Sequence, residues 1–303
     1  MKAAEPTDAG LALADAGARP GVHRFAHAAM ATVFEVHCAH PDARYARQAA
    51  QAAFDLLDRL ERELSRFVAN SDVSRINALA AGETARVSPE TMDCLGLARA
   101  MHAVTRQAFD VSIGTGLERL ELFPDDFAVH AREAGAQLDL GGIGKGFAVD
   151  RMAETLAEWD VSQALVHGGM SSVMALEAPP ERDGWPLTLS APGDGTLLAR
   201  VSARRLALSA SGTRKGDHIR DPRTGLAVRD RAAWVALPWK PDAVRSPAAV
   251  AEALSTAFML LPVDEIEELC REGDGVEAWL LREGTADPAR ALVHLGGPGP
   301  DRC

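Results

Sequence analysis

The residues that could do chemistry gather in four short stretches, and the densest is Leu138-Asp-Leu-Gly-Gly-Ile-Gly-Lys-Gly-Phe-Ala-Val-Asp150. Glycines at 141, 142, 144 and 146 let a backbone approach a ligand closely, and Lys145 adds a mobile positive charge. Val149, Met152, Ala153 and Leu156 then recur at helical spacing. Leu138 to Leu140 alternate like the end of a short buried strand. The order strand, glycine bend, helix N-terminus suits an anion such as a phosphate, because the first helical N–H groups point at it. A bare strand-to-helix turn has the same composition. The spacing fits neither a P-loop nor a dinucleotide fingerprint.

The second stretch runs from Ser209 through Ser211-Gly212 to His218-Ile-Arg-Asp221-Pro-Arg-Thr-Gly225. A histidine beside carboxylates is a candidate for proton transfer, while Asp-Pro-Arg-Thr-Gly is a turn signal and a polar hairpin is the plain alternative. The third is Glu252 and Thr256, four residues apart and so on one helix face. A carboxylate and a hydroxyl so placed can hold a hard cation such as Mg²⁺, or can simply face solvent. The fourth is His167-Gly168-Gly169-Met170, where paired glycines accommodate either a ligand or a bulge.

These stretches need elements to position them. The pattern predicts a strand over 30–38, a long helix over 42–67 and a helix from Pro89 to about Gln107 capped by Ser88. A loop or short strand follows at 109–114, and 123–137 reads as irregular. Strands are expected at 164–167 and 171–176, then meander strands at 187–190, 197–201 and 206–209. A helix over 247–261 and closing strands at 275–282 and 289–295 complete the set.

The 303 residues are 47% hydrophobic and 25% charged, which is ordinary globular composition with enough chain for a large core. A formal net charge of -11 argues against a general nucleic-acid binder. Four scattered cysteines, without a Cys-x-x-Cys pair, argue against a disulfide framework or zinc site. No apolar run approaches the roughly 20 residues of a membrane span. Residues 1–22 are expected to be a disordered leader, 23–295 the folded domain and 296–303 a frayed tail. No secretory signal or lipobox is evident, so the chain is expected in the cytoplasm, or in the periplasm if a leader has been removed.

Taken together and in order, the stretches resemble the ApbE-type FAD:protein FMN transferases. Met30-Ala31-Thr32 resembles that family's opening Met-Gly-Thr. Ser65-Arg66-Phe67 through Ser74-Arg75-Ile76-Asn77 resembles the segment after its first helix, and Phe109-Asp110 through Gly114 its Phe-Asp-x-Thr-x-Gly. Leu138 to Asp150, Ser211-Gly212, His218 to Gly225 and Ala253 to Ala257 resemble the remaining motifs, so the likeness spans roughly residues 25–270.

The resemblance implies an α+β, T-fold-like domain of antiparallel sheets flanked by helices, with an FAD cleft between two lobes. It implies Mg²⁺-dependent transfer of FMN from FAD to a threonine hydroxyl of an acceptor protein carrying a Ser/Thr-x-Ala-Thr-like segment, with release of AMP. A non-catalytic FAD carrier and an FAD pyrophosphatase are the alternatives. By the resemblance, Gly144, Glu252 and Thr256 are the metal ligands, and His218, Asp221 and Lys145 serve the reaction. Met30, Phe67, Asp110, Gly142, Lys145, Gly168, Gly169, Ser209, Ser211 and His218 line the FAD cleft. The chain departs from the family pattern at three points: Glu252 stands for aspartate, Met170 for asparagine or aspartate, and Ala31 for glycine.

Overall fold

Alternation along the central strands shows how the molecule is layered. In a computed structural model describing residues 10–13, 21–192, 195–212, 219–228, 231–239, 246–281 and 292–297, one antiparallel sheet has both faces buried. Its strands, in spatial order, are β14 (Leu292–Leu295), β13 (Glu277–Leu281), β12 (Ala232–Pro238), β11 (Leu206–Gly212), β8 (Ser172–Ala175), β7 (Ala164–Gly168), β3 (Thr32–Ala39) and β2 (Val22–Ala29). Along β12, Ala233, Val235 and Leu237 enter the larger core, whereas Ala232, Trp234 and Ala236 enter the smaller one. Period-two geometry sends successive side chains to opposite faces.

The smaller core is closed by a second sheet of β1 (Gly10–Leu13), β9 (Trp185–Ser190) and β10 (Leu197–Ala203). Residues 10–13 therefore depart from the leader expected at 1–22: Gly10 to Leu13 pair with Ser190 to Leu187 of β9, and Leu11 is fully buried. Burial of that leucine stabilises the segment by an amount on the order of 2 kcal/mol. Residues 1–9, 14–20 and 298–303, where the rest of the leader and most of the tail fall, lie outside the described residues.

The larger core lies under the helices. Helix α1 (Ala43–Leu64) starts where Asp42 accepts from the Arg44 and Tyr45 amides, and it buries a stripe of Ala46, Ala50, Ala53, Leu57, Leu60 and Leu64. Helix α2 (Asp72–Asn77) is a short turn, and α3 (Pro89–Val104) is capped by Ser88, whose Oγ accepts from the Thr91 amide at 3.1 Å. A third sheet, β4 (Thr84–Arg86), β6 (Ala128–Ala131) and β5 (Leu120–Phe123), has β6 in the middle. Helices α4 (Gly144–Glu158), α5 (Pro247–Phe258) and α6 (Val263–Glu272) complete the set. The fold is α+β with antiparallel sheets flanked by helices, as expected. Among the described residues no helix is long and apolar enough to cross a membrane.

Two details lock α4 to α5. Gly146 gives α4 the close approach: a Cβ there would lie 2.3 Å from the Ala248 carbonyl oxygen. Asp150, 2% exposed, accepts from the Ala248 and Ala249 amides, both at 2.9 Å, and so caps α5 from a neighbouring helix. Burial pushes its carboxyl up to about 8, with the two amide donations pulling the other way. Asp150→Ala strands two buried donors and is expected to cost roughly 2–4 kcal/mol in urea unfolding, with Asp150→Asn losing less.

Cys38, Cys94 and Cys270 are all free and buried. Burial pushes the Cys38 thiol up to about 11 and that of Cys270 up to about 12, and raises that of Cys94 as well.

Candidate active site

Residues 138–140 pair with no strand, contrary to the strand expected there, and 141–143 turn directly into α4. Their polar backbone is satisfied by side chains and loops instead of a ladder. The Leu138 amide donates to Asn77 Oδ1 at 2.7 Å, Asn77 Nδ2 donates back to the Leu138 carbonyl at 3.0 Å, and the Asp139 amide donates to the Val111 carbonyl at 2.7 Å. Gly141 N–H then meets Asp139 Oδ1 at 2.8 Å, and Ile143 leads into α4. Gly142 is squeezed: a Cβ would sit 3.2 Å from the Phe109 ring and 3.6 Å from Thr256 Oγ1.

Glu252 is the electrostatic centre. It is 3% exposed, which excludes the solvated helix face as its setting. Its Oε2 accepts from the Gly146 amide at 2.7 Å, and its Oε1 pairs with Lys145 Nζ, which also reaches the Gly141 carbonyl at 3.3 Å. The carboxylate thus sits at the N-terminus of α4, where the helix dipole favours negative charge. One turn on, Thr256 Oγ1 lies 3.3 Å from Ser211 Oγ, and Ser211 Oγ lies 2.8 Å from Ser255 Oγ.

These groups line a cleft of about 480 Å³. Its walls come from the β2–β3 turn, the loop at 108–113, the glycine bend, the β7–β8 turn, the end of β11, the hairpin at 219–222 and α5. Of the residues singled out from the sequence, Met30, Asp110, Gly142, Lys145, Gly169, Ser211, Glu252 and Thr256 line it. Met30 and Ala31 form the two-residue β2–β3 turn with φ of +49° and +57°. Such turns favour glycine and asparagine, so both residues sit in strained backbone at the cleft wall. Asp110 accepts from the Ser112 amide and hydroxyl and from the Gly114 amide, which folds its loop around the carboxylate.

Other expected site residues fall elsewhere. Phe67 is 82% exposed with the Arg66 guanidinium 4.6 Å above its ring, and it does not line the cleft. Gly168 is packed between Val149 and Phe34. Ser209 is fully buried and donates to the Ser171 carbonyl at 2.8 Å, which fixes the β7–β8 turn from behind. Gly144 is buried in the first turn of α4, beside the cleft but not on its wall. Asp221 turns both oxygens to Arg223, whose guanidinium holds its carboxyl below the usual range. His218 lies outside the described residues. His167 faces the other core: it contacts the Leu11 carbonyl at 3.1 Å through Nε2, and burial pushes it down to about 4, so it is a neutral donor.

The cleft also holds residues that sequence reasoning passed over. Arg220 adds a second cation, and Thr32, Ile113, Asp139 and Ile219 are also among the residues of the wall. Arg220 sat inside a stretch already singled out. The signal available was its place beside the turn, where a bridge pairs it with Ala227.

Three carboxylates (Asp110, Asp139 and Glu252), hydroxyls and two cations (Lys145 and Arg220) around a helix N-terminus form a site that could seat a hard cation together with an anion. The comparisons define its class. The model of the ApbE family matches residues 30–280, and the chain belongs to that family. A protein of Treponema pallidum (strain Nichols) described as FAD:protein FMN transferase is 32% identical over 173 residues, 50% of this chain and 46% of that protein. One of Klebsiella pneumoniae (strain 342) with the same description is 27% identical over 214 residues, 58% of this chain and 66% of that protein. The chain thus spans about half to two-thirds of the length of these relatives. The fold is shared with the flavin transferase ApbE from Vibrio cholerae (TM-score 0.76, 18% identity, 91% of this chain and 98% of that one). It is shared equally with the ApbE protein of Thermotoga maritima (TM-score 0.77, 20% identity, 90% and 97%).

Proposed function

We propose that the chain transfers FMN from FAD to a threonine hydroxyl of an acceptor protein and releases AMP. The observation that carries this is the seat of Lys145. Its ammonium rests between the Glu252 carboxylate and the Gly141 carbonyl, beside Thr256 and at the start of α4. A cation already held among hard oxygens marks a place suited to Mg²⁺, which takes few protein ligands and completes its shell with water and substrate phosphate.

Among the described residues no three His, Cys, Asp or Glu side chains cluster as a metal site. Glu252 and Thr256 would hold the metal, with the main-chain oxygen of Gly144 beside the cleft and the diphosphate completing its shell. When bound, the metal would supply Lewis-acid neutralisation of the diphosphate charge. Lys145 and Arg220 bring positive charge to the same cleft, and Met30 and Ile113 offer apolar surface to a flavin or adenine ring. Gly142 and Gly169 let the nucleotide lie against backbone. In the reaction the acceptor hydroxyl oxygen attacks the FMN phosphorus. The bond from that phosphorus to the bridging oxygen breaks, AMP leaves with the bridging oxygen, and the hydroxyl proton passes to solvent.

Incubation with FAD, Mg²⁺ and a peptide carrying a Ser/Thr-x-Ala-Thr segment tests the reading. Covalently flavinylated peptide and an equal amount of AMP are expected, and both should disappear with EDTA. Free FMN and AMP in place of labelled peptide would make the chain a pyrophosphatase, and intact bound FAD would make it a carrier.

A further inference from the structure

We propose that Glu61, which does not line the cleft, is a positioning residue for the bound flavin nucleotide: its carboxylate clamps the strained β2–β3 turn and so fixes the wall that Met30 presents. The proposal rests on the reading that the cleft holds FAD, and adds what keeps one wall of it in shape.

The turn needs a clamp. Met30 and Ala31 have φ of +49° and +57°, a backbone that glycine adopts freely and side chains resist. Ala31 stands where the family pattern has glycine, so this chain carries strain there that glycine would remove. The turn also ends a strand at the margin of the large sheet: among the described residues β3 alone pairs with β2.

Helix α1 supplies what is missing. Phe54, Asp58 and Glu61 follow at i, i+4 and i+7, which places them on one helix face. The Phe54 ring stacks on His27 with centroids 5.1 Å apart, and Asp58 Oδ1 lies 2.7 Å from His27 Nε2. Further along that face, Glu61 Oε1 accepts from the Met30 amide at 2.6 Å. Strand pairing ends at Ala29 and Thr32, so the ladder gives that amide no partner. A carboxylate on a backbone N–H makes a charge-assisted bond, roughly twice as strong as a neutral one.

What moves with the turn is the cleft. Met30, Ala31 and Thr32 line it. Thr32 also backs the β7–β8 turn: a Cβ on Gly169 would lie 2.5 Å from Thr32 Oγ1, and the Gly169 amide donates to the Val33 carbonyl at 3.0 Å. Gly169, Met170 and Ser171 line the cleft as well, so the contact at Met30 governs two of its walls. A turn released from Glu61 relaxes toward unstrained dihedrals, and only the fraction still in the clamped conformation binds FAD with full affinity. If about a tenth stays clamped, Kd rises about tenfold.

FAD titration in the presence of Mg²⁺, followed by flavin fluorescence and by the visible absorption of the bound ring, tests this. Glu61→Ala is expected to raise the Kd for FAD about tenfold and to move the bound flavin's spectrum toward that of free flavin. Glu61→Gln keeps an oxygen for the Met30 amide and should stay within about threefold of the wild-type chain. In the Ala31→Gly background, where the turn is less strained, Glu61→Ala should cost less than about threefold. A role in stability alone would lower the melting temperature in both backgrounds and leave Kd and spectrum untouched. That result, or an equal loss of affinity in both backgrounds, overturns the proposal. Should Glu61→Ala give no soluble chain, Glu61→Asp decides. Its carboxylate, one methylene short of the turn, should weaken FAD binding more than Glu61→Gln does, and the reverse order overturns the proposal. The readout is binding, so failure to flavinylate a peptide counts against the transfer reading alone, whereas a wild-type chain that binds no FAD removes both.

Discussion

Glu252→Ala is expected to reduce metal-dependent turnover of FAD by about a thousandfold. The side chain is the buried carboxylate at the place where Lys145, the Gly146 amide and the proposed metal converge. Its removal deletes the charged ligand and also leaves the Lys145 ammonium and a helix N-terminal N–H without their anion. Loss of several kcal/mol of charge stabilisation in the transition state corresponds to ~10³ in rate. Two further variants separate the causes. Glu252→Gln keeps the side-chain shape and the Gly146 contact but not the charge, so it should fold well and turn over nearly as poorly as alanine. Glu252→Asp draws the carboxylate back by one methylene; Lys145 can follow on its flexible stem, and loss within about tenfold is expected. Steady-state FAD consumption across a Mg²⁺ titration makes the comparison. Full metal-dependent turnover in Glu252→Ala would remove the metal from this end of the cleft.

Gly146→Ala should be the most destabilising single-methyl addition in the molecule's helices. The added carbon would meet backbone and not a movable side chain: 2.3 Å to the Ala248 carbonyl oxygen, 2.6 Å to its carbon and 2.8 Å to Ala249 Cα. Relief requires α4 and α5 to part, which pulls the Ala248 and Ala249 amides from Asp150 and Glu252 from Gly146. A cost above about 3 kcal/mol is expected, seen as a lower melting temperature and poor soluble yield. Gly96 in α3 is the matched control, with nothing within 4 Å of the place a methyl would take. There alanine should stabilise by about 0.5–1 kcal/mol through helix propensity. Equal melting temperatures for the two variants would mean that α4 and α5 do not approach so closely.

The elements that periodicity exposes were legible. The stripe of α1, the Ser88 cap of α3 and the shared face of Glu252 and Thr256 all follow from spacing, and all are in place. Strand β12 escaped because it is buried on both faces: Ala-Ala-Trp-Val-Ala-Leu does not alternate in hydrophobicity when both sides are core. Strand β2 escaped for the opposite reason, as an edge strand with polar residues on both faces. Helix α6 is strongly acidic and buries only Ile266 and Cys270, which left little apolar signal. Strands β5 and β6 fall in or beside a stretch that reads as irregular because each is only four residues long.

At the site, residue type misled where geometry decides. Phe67, Gly168 and Ser209 have the right chemistry for a nucleotide cleft, yet the chain turns them to solvent, to Phe34 and to the Ser171 carbonyl.

The three buried thiols have a consequence for where such a fold can work. Cys38, Cys94 and Cys270 are kept protonated at neutral pH and shielded by the core, so they offer no thiolate to an oxidant or an alkylating reagent. Their stability contribution is that of small apolar side chains, independent of redox surroundings. The described part of the molecule is therefore equally suited to a glutathione-buffered interior and to an oxidising envelope, and its cysteines leave the choice of compartment to other signals.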